Sequence, residues 1–315
     1  MLAHPLLVRL KSRDPGGVID VLAPAWAAAV YGRMPEVRST IAFPFGHGEL
    51  RLGARRRIAR ALAHYDHAIV LPGSFKSALV PWFAGIPRRT GWIGEMRFGL
   101  LNDLRRLDKA ALPLIVERFA ALAQPADEAL ERPLPEPRLA VDTARRDSAI
   151  AKFGLAGSAP VLALAPGAEY GPAKRWPARH FADVARSHVE RGYRVWLFGA
   201  DRDVSVTAEV AALAGVPVTD LAGKTGLDEA IDLLSLAARV VTNDSGLMHV
   251  AAALDRPLAA LFGSSSPEYT PPLSAKARVI SLRLGCSPCF ARECPLGHTN
   301  CLEKLNPGQV LAALD

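Results

Sequence analysis

The run Thr242-Asn-Asp-Ser-Gly-Leu-Met-His249 places a carboxylate, a hydroxyl and a glycine where an apolar strand gives way to a helix. Asp244 or Ser245 at such a junction can cap the helix's first N–H groups. Left to a ligand, those N–H groups seat an anion such as a diphosphate. A second run, Pro166-Gly-Ala-Glu-Tyr-Gly-Pro-Ala-Lys-Arg-Trp-Pro177, crowds glycines and prolines around Lys174 and Arg175. It enters a helix at Pro177, where proline suits a first turn. A lysine on a constrained loop facing a helix N-terminus can neutralise a diphosphate leaving group. Read blandly, the first run is a capped helix between core strands and the second a surface turn with solvated charges. The Gly/Pro crowding favours function for the second run.

These residues need elements to position them. In the second half, residues 161–165, 195–198 and 240–242 read as strands, and 180–191, 208–214 and 227–237 as helices. In the first half, 18–22 and 68–72 read as strands. Between them lie the loop Phe45-Gly-His-Gly48 and a helix carrying Arg55, Arg56, Arg57 and Arg60. Strand–helix alternation predicts parallel sheets. The aperiodic, Pro- and Glu-rich stretch 124–137 reads as a linker. The expectation is therefore α/β, with two Rossmann-like domains, 1–140 and 141–315, facing a central cleft. Loops 166–175, 199–203 and 242–249 all follow strand ends, where ligands bind in such sheets. No G-x-G-x-x-G occurs, which argues against a dinucleotide oxidoreductase.

Composition sets outer bounds. The 315 residues are half apolar, with a formal charge of +7 and a sequence pI near 9.5. Basic excess suits an anionic partner: nucleic acid, phosphorylated sugar or lipid surface. It also suits nothing more than a solvated basic face. No apolar run is long enough for a membrane span and no secretory signal is visible. The expected location is the cytoplasm. Four cysteines, Cys286, Cys289, Cys294 and Cys301, with His298 among them, could form a tetrahedral zinc site. The spacing is irregular for zinc, so reduced thiols or a redox-sensitive pair are favoured over a structural metal.

The two long runs resemble the ADP-heptose-dependent lipopolysaccharide heptosyltransferases of glycosyltransferase family 9. Further matches are Arg33-Met-Pro-Glu-Val37, Phe45-Gly-His-Gly48, Leu71-Pro-Gly-Ser-Phe-Lys-Ser-Ala-Leu-Val80, Gly91-Trp-Ile-Gly-Glu-Met-Arg97, Leu101-Asn-Asp103 and Ser264-Ser-Ser-Pro267. The resemblance implies a GT-B fold, with the acceptor on the first domain and ADP-heptose on the second. It implies inverting transfer of L-glycero-D-manno-heptose to heptosyl-Kdo2-lipid A. Lys174 and Asp244 then carry the catalytic roles, at the diphosphate and at the heptose hydroxyls. Glu169, Tyr170, Ser245, Gly246 and His249 complete the donor site. Asp201 is the candidate for the ribose, because a strand-end carboxylate accepts two hydrogen bonds, and Thr225 and Gly226 border the adenine. Ser74, Lys76, Arg88 and Arg97 face the acceptor, whose carboxylates and phosphates suit arginine. No cofactor is required, since Lys174 and the helix terminus handle the departing charge. No nucleic-acid partner is expected.

The family opens with a strand and a Gly-rich turn ending in an aspartate, the expected general base. Here residues 1–15 resemble the first helix directly, and Glu49 is only a weak substitute. Two expectations follow: a natural protein that starts further upstream, or a chain that binds ADP-sugar without turning it over. The form of the Lys174 loop argues against a family 9 transferase of another sugar and against a nucleotide-sugar epimerase.

Overall fold

The computed structural model describes residues 1–46 and 48–315. His47 of the Phe45-Gly-His-Gly48 loop lies outside the described residues. The chain divides into two compact units. The first comprises Leu2–Ala28 and Glu36–Pro135; the second comprises Met1, Ala29–Pro35 and Glu136–Asp315.

The first unit contains β1 (Ile19–Ala23), β2 (Val37–Ala42), β3 (His67–Val70), β4 (Arg88–Trp92) and β5 (Asp103–Arg105). β1 pairs with β2, and β3, β4 and β5 form a second sheet in that order, all parallel. Helix Leu52–Arg60 packs against helix Phe75–Phe83 over a small aliphatic core that includes Ala59, Leu62, Val80 and Ile86. Residues 1–15 form helix His4–Arg13, which packs against Ile115–Ala120. The stretch 124–137 has no regular structure. It is nevertheless pinned, because buried Arg9 donates to Gln124 Oε1 and to the Glu131 carbonyl.

The second unit is one six-stranded sheet built from β6 (Val161–Ala165), β7 (Arg194–Leu197), β8 (Thr219–Asp220), β9 (Ala237–Asn243), β10 (Leu258–Leu261) and β11 (Ala277–Ile280). The strand order is β11-β10-β9-β6-β7-β8, parallel throughout. β6 reads Val-Leu-Ala-Leu-Ala and is buried along its whole length. A continuous apolar run is what a parallel strand needs when helices cover both faces. Helix Ala178–Glu190 packs on Val204–Ala214 and on Pro307–Leu314 over Leu162, Leu164, Val195 and Val241. The strand order is the doubly wound one. Its direction of winding reverses between β6 and β9, and a crevice opens there beyond the strand ends.

Residues 29–35 group with the second unit, and a buried charge pair ties them to it. Arg33 grips Asp232 with two hydrogen bonds of 2.5 and 2.6 Å and donates to the carbonyls of Ala140 and Asp228. The Asp142 N–H also binds the Asp232 carboxylate at 3.1 Å. A contiguous division of the chain near residue 140 could not contain this exchange.

Candidate active site

The reversal point of the second sheet is where the two runs meet. β9 ends at Asn243, and helix Gly246–Ala253 begins shortly after it. Lys174, on the loop after β6, reaches Asp244 after β9, with Nζ 2.5 Å from Oδ2. Both side chains are mostly shielded from solvent. The Lys174 ammonium also lies 5.2 Å from the Tyr170 ring centroid. Ser245 does not cap the helix; its hydroxyl sits 3.1 Å from the Thr242 hydroxyl instead. A Cβ placed on Gly246 would meet nothing within 4 Å. No side chain caps the helix start, which leaves its first backbone N–H groups close in sequence to the Lys174–Asp244 pair, the kind of arrangement that binds anions.

His249 lies one turn along the same helix. Burial lowers its pKa to about 4; Asp244 opposes the shift and Lys174 adds to it. At neutral pH the ring is uncharged, so it can offer a hydrogen bond but no positive charge.

Nothing in the local spacing singles out Asn243, yet it is fully buried at the centre of the site. Its Nδ2 donates to the Pro166 carbonyl at 2.7 Å, and its Oδ1 accepts the Trp176 N–H at 3.0 Å. One amide thereby ties both ends of the 166–176 loop to the end of β9 and sets Lys174 against Asp244. Trp176 is buried and donates through Nε1 to the Leu305 carbonyl. Ser264 and Ser265 follow β10, and both hydroxyls are buried without a hydrogen-bond partner. The Asp244 N–H binds the Leu261 carbonyl, which fixes the two strand ends side by side. Unpaired buried hydroxyls cost free energy unless a ligand satisfies them.

The remaining donor candidates fall unevenly. Glu169 is exposed and pairs with Arg202 at 3.0 Å. The Tyr170 hydroxyl donates to the Phe290 carbonyl at 2.8 Å. Thr225 donates to the Leu221 carbonyl, and the Gly226 N–H is already bound by Glu229. Asp201 is exposed, whereas Asp203, two residues on, is buried and caps the Ala200 N–H. One Asp203 oxygen has no hydrogen-bond partner. A Cβ on Gly167 would collide with the Asp203 carboxyl group, so only glycine permits this approach. Asp201-Arg-Asp203 also has the Asp-x-Asp spacing used for divalent ions. Among the described residues, no group of three or more His, Cys, Asp or Glu is arranged to hold a metal.

All four cysteines are free thiols. Burial, then its cysteine neighbours, pushes the Cys301 thiol up. Backbone N–H groups, Thr299 first, hold Cys294 down. The segment braces the Lys174 loop. The Arg292 carbonyl accepts the Ala173 N–H at 3.1 Å, and the Arg292 guanidinium lies 5.4 Å from the Tyr170 ring centroid.

In the first unit, Ser74 opens helix Phe75–Phe83 without capping it through its side chain. Lys76 is partly exposed, and Arg88 pairs with Asp103 at 3.2 Å. Arg97, expected to offer charge to an acceptor, is buried. Its guanidinium binds the carbonyls of Pro72 (2.5 Å) and Trp92, because two loops must be joined there. Arg55 is also buried rather than solvated on its helix. Glu49 accepts the Gly46 N–H and pairs with Arg51 at 3.3 Å. Burial of Asp20 opposes its charge, but hydrogen bonds from Arg38, Tyr65 and Ser39 outweigh that and hold the carboxyl at about 2. So acidic a group is a weak base.

No helix among the described residues is long and apolar enough to cross a membrane. The sequence profile of glycosyltransferase family 9 (heptosyltransferase) matches residues 55–300. The chain is 47% identical over 326 residues to lipopolysaccharide heptosyltransferase 2 of Escherichia coli K12, covering 100% of this chain and 94% of that protein. Identity to the Salmonella typhimurium LT2 protein of the same name is also 47%, over 325 residues, covering 100% of this chain and 93% of that one. The solved structure of Escherichia coli ADP-heptose LPS heptosyltransferase II superposes with a TM-score of 0.88 at 45% identity. That match covers 99% of this chain and 93% of the other. The expectation of an α/β GT-B fold is met.

Proposed function

The chain belongs to glycosyltransferase family 9, and from that premise we propose that it transfers L-glycero-D-manno-heptose from ADP-heptose to the first heptose of the lipopolysaccharide inner core. The observation that supports this most directly is the Lys174–Asp244 pair at the winding reversal of the second sheet. The second unit holds the donor and the first holds the acceptor, at the cytoplasmic face of the inner membrane.

Inverting transfer needs three things: an acceptor hydroxyl that loses its proton, a stabilised oxocarbenium-like centre and a neutralised leaving group. Lys174 and the N–H groups at the start of helix Gly246–Ala253 supply the last, since both carry positive charge to the departing diphosphate. Asp244 holds heptose hydroxyls and keeps the ammonium aimed. His249, being neutral, adds a hydrogen bond. Ser264 and Ser265 offer two further hydroxyls whose hydrogen bonds a donor would complete.

Two measurements test the reading together: calorimetric titration with ADP-heptose, and turnover on a heptosyl-Kdo2-lipid A acceptor. Binding is expected, with turnover wherever a carboxylate is placed to take the proton of the acceptor hydroxyl. Binding without turnover would identify an ADP-sugar binder, and preference for another nucleotide sugar would move the chain to a different member of the family.

A further inference from the structure

The segment that carries the four cysteines is pinned to the end of β10. The Ser287 hydroxyl donates to the Gly263 carbonyl, and the Phe290 N–H donates to the Ser264 carbonyl at 2.7 Å. Cys301 reaches the same place from further along the chain. Its neighbour Leu302 is fully buried, and a Cβ on Gly263 would collide with the Leu302 side chain. Cys289 and Cys301 are thus both anchored on residues 263–264. Cys301 packs partly buried against the core of the second unit, and Cys289 leads the cysteine neighbours that, with burial, push its thiol up. Cys294 is engaged in its own turn, where its sulfur accepts the Thr299 N–H at 3.4 Å. Cys286 is exposed.

The same segment touches the loop that holds Lys174. The Phe290 carbonyl accepts the Tyr170 hydroxyl, and the Lys174 ammonium lies 5.2 Å from the centroid of that Tyr170 ring. The Arg292 carbonyl accepts the Ala173 N–H, and a Cβ on Gly171 would collide with that carbonyl oxygen, so the two backbones touch. Ser264, whose carbonyl holds Phe290, carries one of the buried hydroxyls without a hydrogen-bond partner. A displacement of residues 289–292 therefore reaches Tyr170, the Lys174 loop and Ser264 through direct contacts.

We propose that Cys289 and Cys301 are a modification site, an oxidisable pair that closes to a reversible disulfide and weakens donor binding. The oxidant is a low-molecular-weight disulfide. The Cys289 thiolate attacks one sulfur of that molecule and expels the first thiolate; the Cys301 thiolate then attacks Cys289 Sγ and expels the second. Two protein thiols are oxidised, one small disulfide is reduced to two thiols, and the two protons lost by the protein end on them. A sulfur–sulfur bond of about 2.05 Å is much shorter than the contact between two free thiols. Closure must therefore draw residue 289 towards helix Asn300–Glu303, and Phe290 with it. The pairing itself is independent of the transferase reading, whereas its effect on donor binding rests on that reading.

Thiol counting, peptide mapping and calorimetric titration with ADP test it. Equilibration with oxidised glutathione should leave two of the four thiols titratable and join Cys289 to Cys301. ADP should then bind about fivefold more weakly, and dithiothreitol should restore its affinity. By reciprocity, saturating ADP should make the pair harder to oxidise by the same factor. Cys289→Ser and Cys301→Ser should each bind ADP as the reduced chain does, with or without oxidised glutathione, whereas Cys286→Ser should respond like the wild type. A chain that keeps four titratable thiols, or a bond that joins a different pair, overturns the proposal. So does an equivalent of zinc bound to these thiols in the purified chain. A Cys289–Cys301 bond that leaves ADP affinity unchanged overturns the link to donor binding. The same bond in a chain that binds no ADP in either state supports the pair and overturns the transferase reading instead.

Discussion

At the sheet reversal of the second unit the key charges are paired: Lys174 lies on Asp244, held by the fully buried Asn243, and the unit's 20 basic residues nearly balance its 19 acidic ones. In the first unit, by contrast, Arg51, Arg56, Arg57 and Arg60, on or next to helix Leu52–Arg60, are exposed, as are Met96 and Phe98, and the buried Arg55 and Arg97 bind backbone carbonyls. The contrast separates two ways of meeting an anion. A preorganised pair gives orientation at a single reacting point. An exposed basic surface gives attraction over a wide area that salt readily screens.

The largest expected effect would break the comparison at its root. Asp232→Ala strips the buried Arg33 guanidinium of its hydrogen-bonded carboxylate and leaves only Asp228 at 3.7 Å, which should cost about 3–5 kcal/mol in urea unfolding. An unchanged midpoint would mean that the second unit does not depend on paired charge. Lys174→Ala should lower kcat about a thousandfold with the fold intact. Combined with Asp244→Asn it should lose much less than the product of the two single effects, because the residues act as one unit. Full additivity would show two independent charges, as expected for the exposed arginines of the first unit.

Asn243→Ala should destabilise by about 1–3 kcal/mol, because the Trp176 N–H loses its acceptor. It should also lower kcat, whereas a merely structural residue would change the melting temperature alone. The smallest effect is that of pH. His249 falls to about 4 in the folded chain, so the unfolded chain binds its proton more readily. Its contribution is fully present above the ordinary histidine pKa of about 6.5 and is lost as pH falls from there towards 4. His249→Gln should flatten that part of the stability profile, and the difference between the two unfolding curves measures it.

Legibility in the sequence follows the same division. The strands around β6 and β9 are readable because a parallel core needs unbroken aliphatic runs, and the 166–177 and 242–249 runs stand out through Gly, Pro and polar residues at strand ends. Local spacing points to Asp201, but Asp203 is the buried acid, because the turn after β7 folds that side chain back towards Gly167. Arg97 reads as a cation facing the acceptor, and only the approach of two loops shows why it is buried. Cys286–Cys301 reads as reduced thiols or a redox-sensitive pair ahead of a structural metal, and its contacts also brace the Lys174 loop through Arg292.

The sequence by itself determined the strands around the site and which strand ends carry polar chemistry, since those follow from periodicity, turn residues and short spacings, and its motifs carry the resemblance to the family. The tertiary structure alone decided that Lys174 meets Asp244 across 70 residues, that Asn243 holds them together, and that Arg33 reaches Asp232 across 199. Such pairs depend on strand order and on which side chains lose water together, and neither is written in the spacing of neighbouring residues.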